Sequence, residues 1–193
     1  MLSPAEFAAV RVSLLVSLVA VAVSLPFGIA VGWILARRQF VGKAAVETLV
    51  NLPLVLPPVV TGYLLLIAFG RNGVFGDPLD RWFGLRFIFD WKGAALAAGV
   101  DSFPLMVRYI RLAFTAGDVR LEQAARTLGA TRFDSFFTIS LPLARNGVIA
   151  GCVLAFARSI GEFGATVMIA GNIEGRTRTI SLFIYNQLET PGG

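Results

Sequence analysis

Histidine is absent from this chain of 193 residues, and cysteine occurs once, at Cys152. A chain without histidine cannot build a Ser/His/Asp or Cys/His catalytic set, and one cysteine cannot form an internal disulfide. A zinc site made of cysteine and histidine ligands is excluded for the same reason. Cys152 itself lies in an apolar run, where we expect a small packing residue. No direct metal ligation is therefore predicted.

Charged residues are scarce, at 15% of the chain against 56% hydrophobic residues. A soluble domain carries about 25% charged residues, and here the apolar residues also come in long blocks. The composition predicts a multi-pass membrane protein embedded in a lipid bilayer. The net charge of +5 does not indicate nucleic-acid binding, because Lys and Arg gather at the ends of apolar blocks, where they set membrane orientation.

The sequence also lacks the pattern G-x-x-x-x-G-K-[ST], so it contains no P-loop of its own. Any ATP hydrolysis linked to this chain must then occur on a partner. We expect no directly bound cofactor. The first apolar run is too long for the core of a signal peptide, and we predict that it is a retained membrane span.

Four segments reach the roughly 20 apolar residues that a helix needs to cross a bilayer. They are residues 12–36, 46–70, 93–114 and 147–171. Backbone groups in lipid must be satisfied within the segment, so each is predicted to be helical. Pro53, Pro57 and Pro58 should bend or break the second span within 51–61. Either a packing kink or a role in a transport pathway explains such a bend.

Three polar stretches separate the spans, at 37–45, 71–92 and 108–145. The first and third together hold a modest excess of Lys and Arg, which favours an external N-terminus. The given sequence ends with the turn residues Pro191, Gly192 and Gly193 after the fourth span. A turn at this place predicts a further helix beyond Gly193.

The third polar stretch carries the most specific pattern. Residues 121–129 predict a short helix that ends at Gly129 with positive φ. An amphipathic stretch at 133–139 follows, and then Leu141 and Pro142 before the fourth span. The small residues Ala124 and Ala125, flanked by charges, suit a helix that lies in a groove of another protein. An ordinary surface loop with one helical turn is the alternative.

This pattern resembles the EAA motif of bacterial ABC importer permeases. The resemblance implies that segment 120–142 contains a cytoplasmic coupling helix that docks onto a separate ABC ATPase subunit, which uses ATP and Mg²⁺. The implied coupling residues are Glu122, Gln123, Ala124, Ala125, Gly129, Ile139, Leu141 and Pro142. Gln123 stands where the name of the motif places glutamate, so Glu122, one position earlier, becomes the candidate acidic contact.

Further segments narrow the resemblance. Residues 52–63 look like the second-span signature of molybdate permeases, 155–166 like their fourth-span signature, and 171–185 continue the match. The resemblance implies an all-α, type I (MetI-like) permease fold with five or more spans in the bacterial inner membrane. Its substrate would be molybdate or tungstate. A sulfate or thiosulfate permease is the alternative, and a membrane receptor or assembly protein is a more remote one.

The resemblance also implies an extracytoplasmic oxyanion-binding protein that delivers the substrate. One copy with four or five spans leaves little room for a gated aqueous path. We therefore expect a homodimer with the path on its two-fold axis, operated by alternating access under the control of the ATPase.

Several polar side chains lie within the spans. Arg158 and Glu162 are four residues apart on one helix face, and they suit either a structural ion pair or a role in the pathway or its gate. We expect Asp101 to pair with an arginine on a neighbouring helix. Hydroxyl groups that could line a passage for a dianion, or instead bond within the bundle, belong to Thr61, Ser102 and Thr166.

Overall fold

The computed structural model describes residues 3–70 and 73–189, and all regular structure in these ranges is helical. The helices are α1 (Pro4–Arg37), α2 (Lys43–Val55), α3 (Pro58–Phe69), α4 (Gly76–Phe83), α5 (Trp91–Ala116), α6 (Val119–Thr127), α7 (Arg132–Ser135), α8 (Leu141–Ile160), α9 (Gly164–Ala170) and α10 (Ile180–Glu189). A π-helical turn, Phe136–Ser140, joins α7 to α8 without a break. The predicted all-α class is confirmed.

Helix α1 begins eight positions before the predicted span because strong start signals precede the apolar run. The hydroxyl of Ser3 accepts a hydrogen bond from the Glu6 N–H (3.3 Å), and the Glu6 carboxylate accepts one from the Ser3 N–H (2.6 Å). This reciprocal capping box satisfies two donors at the helix end, and Pro4 fits the first helical turn. The result is a 34-residue helix that is longer than a bilayer requires.

The second predicted span is broken as expected. Helix α2 ends at Val55, α3 begins at Pro58, and the two helix directions differ by 113°. Pro57 has no N–H to donate, and it disfavours helical geometry at the residue before it. Pro58 occupies the first turn of α3, where proline is tolerated. The predicted bend within 51–61 is confirmed.

Helix α5 lies at the centre of the bundle, where it packs against α1, α8 and α9. Small buried residues such as Ala94, Ala97 and Ala98 let the neighbouring helices approach closely. Larger apolar side chains, with Ile110 and Phe114 among them, fill the core toward the other end of α5. This central position puts the polar groups of α5 within reach of several helices.

The fourth span differs from the prediction of one helix over 147–171. The helix starts earlier, so that Arg132–Ile160 is continuous, and it stops at Gly161 before α9 begins. The physical reason lies at Glu162, whose carboxylate accepts a hydrogen bond from the Ala165 N–H (2.8 Å) and so satisfies a free donor in the first turn of α9, which follows the N-cap residue Phe163.

Two helices of the described ranges are long and apolar enough to cross a membrane, namely Pro4–Arg37 and Arg132–Ile160, and the bent pair α2 and α3 could form a third span. Helix α5 covers the predicted third span but carries several charged residues. The middle polar stretch contains α4, although Arg71 falls outside the described residues. The terminal turn at Pro191, Gly192 and Gly193 also lies outside them.

Candidate coupling surface and intramembrane polar cluster

The predicted short helix of the third polar stretch forms as α6. The Asp118 carboxylate caps its start by accepting a hydrogen bond from the Arg120 N–H (2.9 Å). Gly129 follows the helix with φ +97°, and the next residue, Ala130, donates its N–H back to the carbonyl of Ala125 (3.0 Å). Only glycine adopts such a φ without strain. The helix and the positive φ of Gly129 are confirmed, with bounds two positions earlier than predicted.

An open groove separates α6 from the beginning of α8. Its lining comprises Leu121, Ala125, Leu128, Thr138, Ile139, Pro142, Leu143, Arg145 and Asn146. Leu128, one of the lining residues, is 89% exposed. The structure thus brings Ala125, Ile139 and Pro142 of the predicted coupling set to one surface.

The other predicted coupling residues lie elsewhere. Gln123 and Ala124 are exposed outside the groove lining, and Leu141 packs against the core instead. Sequence reasoning missed Leu121 and Leu128 as members of the surface. Their spacing of i and i+7, with Ala125 between them at i+4, places all three on one helix face and could have revealed them.

Glu122 faces its own chain. Its carboxylate lies 3.0 Å from the guanidinium of Arg37, the last residue of α1, and the same guanidinium donates to the carbonyl of Gly117 (3.2 Å). The two side chains are only 11% and 19% exposed. The candidate acidic contact for a partner is therefore occupied by an internal arginine. The only sequence signal for Arg37 was its place in the basic stretch after the first span.

Three charged residues within the spans, Asp101, Arg158 and Glu162, form a cluster. The Arg158 guanidinium lies 2.6 Å from the Asp101 carboxylate on α5 and 3.4 Å from the Glu162 carboxylate beyond the end of α8. Both carboxylates are 2% exposed, whereas the Arg158 side chain is 37% exposed. The predicted pair of Arg158 with Glu162 and the predicted arginine partner of Asp101 are both confirmed.

Ser102 lies beside this cluster. The Ser159 hydroxyl donates a hydrogen bond to the Ser102 oxygen (3.1 Å), and Ser102 donates to the carbonyl of Gly99 (3.3 Å). Both serines are buried. Ser102 thus joins α5 to α8 next to Asp101, and a role in the pathway remains a prediction.

Thr61 and Thr166 lie on α3 and α9, two helices that pack directly against each other. Both are buried, and neither side-chain oxygen has a hydrogen-bond partner among the described residues. The contact between the two helices is close, because a Cβ on Gly62 would lie 2.7 Å from the Cα of Ala165. Their place in the pathway also remains a prediction.

Comparison with known proteins gives one family and several relatives. The model of the family described as "Binding-protein-dependent transport system inner membrane component" matches residues 28–190. The "Molybdenum transport system permease protein ModB" of Escherichia coli (strain K12) is 59% identical over 192 residues, which are 100% of this chain and 84% of that protein. The "Sulfate transport system permease protein CysT" of the same strain is 38% identical over 187 residues, with 97% and 67% covered.

Among solved structures, the crystal structure of a bacterial ABC transporter involved in the import of the acidic polysaccharide alginate matches with a TM-score of 0.68 at 18% sequence identity. The match covers 96% of this chain and 68% of that one. At this identity the likeness concerns the fold alone. The fold is that of an ABC importer permease.

Proposed function

This chain belongs to the family of binding-protein-dependent transport system inner membrane components, and we propose that it forms the membrane pathway for molybdate in an ABC importer. It is a multi-pass protein of the bacterial inner membrane and a component of a transport system. The observation that carries the substrate assignment is the 59% identity to a molybdenum permease, compared with 38% to a sulfate permease.

Tungstate belongs with molybdate in this assignment because the two are tetrahedral dianions of the same shape. Sulfate and thiosulfate remain the alternative substrates for the same chemical reason. A permease that receives its substrate from a dedicated binding protein needs little selectivity of its own. We therefore place the choice among oxyanions mainly on an extracytoplasmic binding protein, which is a partner of this chain.

The groove between α6 and α8 is the surface that we assign to the ABC ATPase subunit. Its apolar lining and the exposed Leu128 suit a protein contact, since apolar patches with a polar rim mark interaction sites. Gln123 and Ala124 lie exposed near this surface and would form part of its rim. ATP and Mg²⁺ would be used on the partner, and we expect this chain to bind no nucleotide, cofactor or metal directly.

The pathway is formed by two copies of the chain around a two-fold axis. Within each copy, the partly exposed Arg158 guanidinium is a hydrogen-bond donor available to a passing dianion, and two buried carboxylates fix its position. Motion of α6 on the ATPase would reorient the helices around this cluster in an alternating-access cycle. Arg158 and Glu162 then serve the pathway, with Thr61, Ser102 and Thr166 nearer the helix contacts.

The experiment reconstitutes the chain into proteoliposomes with its ATPase and its binding protein. We expect ATP-dependent accumulation of radiolabelled molybdate, suppressed by excess tungstate and not by sulfate. The control is the same complex with an ATPase variant that cannot hydrolyse ATP. Accumulation of sulfate without molybdate would establish the sulfate alternative. An assembled complex that accumulates none of these anions would favour a receptor or assembly role.

A further inference from the structure

A second polar region lies apart from the groove and the Arg158 cluster. It is a cavity of about 290 Å³ between α1, α2 and α5, and its lining comprises Leu35, Val50, Asn51, Pro104, Val107, Arg108 and Arg111. Leu35 and Val107 form buried walls, whereas Asn51, Arg108 and Arg111 supply polar groups. The cavity lies toward the coupling end of the chain, since Leu35 is two residues before Arg37, which contacts α6.

The charges around the cavity do not cancel. The Arg111 guanidinium lies 2.9 Å from the Glu47 carboxylate on α2 and is neutralised by it. Arg108, an exposed residue of the lining, forms no ion pair with any residue in 3–70 or 73–189. The cavity thus carries one uncompensated positive charge. A cation in a membrane helix is costly unless it meets a partner or water.

We propose that this cavity binds a tetrahedral oxyanion, namely the transported molybdate at its last position before it leaves on the coupling side. This inference rests on the proposed function. A guanidinium presents a planar fork of N–H donors that bonds two oxygens of such an anion at once. A water molecule takes about 30 Å³ of liquid volume, so the cavity holds the four oxygens of the anion together with several waters.

Helix α5 connects the cavity to the Arg158 cluster. Asp101 and Arg108 are seven residues apart and therefore lie on one face of the helix, separated by about 10 Å along its axis. Three carboxylates border this route: Asp101 and Glu162 share Arg158, and Glu47 pairs with Arg111. A guanidinium therefore lies at each end of this stretch of α5, and each of the three carboxylates contacts one of the arginines.

The test is equilibrium binding of radiolabelled molybdate to the purified permease–ATPase complex in detergent, without the binding protein. We expect one saturable site per chain. Arg108→Gln should lower the affinity at least about tenfold, because a charged hydrogen-bonding partner is lost. Arg108→Lys keeps the charge without the fork and should give an intermediate affinity. The control is Arg38→Gln, which removes an exposed arginine near the same end and outside the cavity lining, and it should bind normally.

Two results of this binding experiment would overturn the proposal. One is a wild-type complex without saturable binding, and the other is an Arg108→Gln complex, folded and assembled with its ATPase, that binds with unchanged affinity. A lipid phosphate is a further source of the same chemistry, and nanodiscs of phosphatidylcholine with and without phosphatidylglycerol separate the two. Phosphatidylglycerol retained by the wild type, lost from Arg108→Gln and excluding molybdate would assign the cavity to lipid and overturn the proposal.

Failure of this inference is distinct from failure of the proposed function. A wild-type complex that accumulates molybdate in vesicles but has no site at Arg108 removes only the cavity assignment. A wild-type complex that accumulates no molybdate removes the proposed function itself.

Discussion

Arg37 is the last residue of α1, and its guanidinium lies 3.0 Å from the carboxylate of Glu122 in the first turn of α6. The same guanidinium bonds to the carbonyl of Gly117 at the end of α5 (3.2 Å). The proposed coupling helix is thus attached to α1 by side chains as well as to α5 by the backbone. A displacement of α6 can therefore be transmitted to the bundle through α1 and through α5.

Arg37→Met should weaken coupling. It leaves the mostly buried Glu122 carboxylate without its partner, and we expect a loss of about 1–3 kcal/mol in stability, below the roughly 3–5 kcal/mol of a fully buried pair. Thermal unfolding of the complex measures this loss, and the number of molybdate ions accumulated per ATP hydrolysed should fall. Arg38→Met, at the exposed next position, is the control. A variant at position 37 with a normal ratio of transport to hydrolysis would contradict the link.

Gly129→Val should uncouple ATP hydrolysis from transport. The strain is purely in the backbone, because a Cβ at this position meets nothing within 4 Å while φ is +97°. A β-branched residue at such a φ costs about 1–3 kcal/mol, which should be relieved by distorting the end of α6. Gly129→Asn is the matched control, since asparagine tolerates this region better. Equal coupling in the valine and asparagine variants would remove the backbone explanation.

Arg158→Lys should fold but transport poorly. Lysine keeps the charge in the cluster but lacks the planar fork that reaches both Asp101 and Glu162, and we expect uptake about tenfold lower. Arg158→Leu instead leaves two buried carboxylates unpaired and should destabilise the protein by about 3–5 kcal/mol or more. Uptake assays on folded protein separate the two effects. Normal uptake in both Arg158→Lys and Glu162→Gln would contradict a pathway role and leave the cluster as a structural ion pair only.

Gly62→Val should separate α3 from α9. The added Cβ would lie 2.7 Å from both the Cα and the carbonyl oxygen of Ala165, and backbone atoms cannot move aside as a flexible side chain can. Overpacking of this kind costs about 1–3 kcal/mol, measurable as a lower unfolding temperature. The control is Gly161→Ala, where the nearest atom to a new Cβ is the Arg158 carbonyl oxygen at an ordinary 3.7 Å.

The features that the sequence predicted are those with local causes. The break before Pro58 follows from the missing N–H of Pro57, and the positive φ of Gly129 follows from a glycine at the end of a short polar helix. The pair of Arg158 and Glu162 depends only on helical spacing. Family resemblance added the role of segment 120–142, which no local rule could supply.

The features that it did not predict depend on tertiary packing. No spacing rule links Arg37 to Glu122, because the two residues meet only after α1, α5 and α6 have packed. The division of the fourth span was hidden by a continuous apolar run, although Gly161 can end a helix and Glu162 can accept a hydrogen bond from the first turn of the next one. The choice of Arg158 as partner of Asp101 likewise required the contact between α5 and α8.

The bend between α2 and α3 lets a shift of one helix move the other in a different direction. Their directions differ by 113°, so a shift of α2 along its own axis displaces α3 mostly sideways. Helix α2 is attached to α5 through the ion pair of Glu47 with Arg111, and α3 packs against α9 at Gly62. A translation of α2 along its own axis is in this way converted into a mainly sideways translation of α3 against α9.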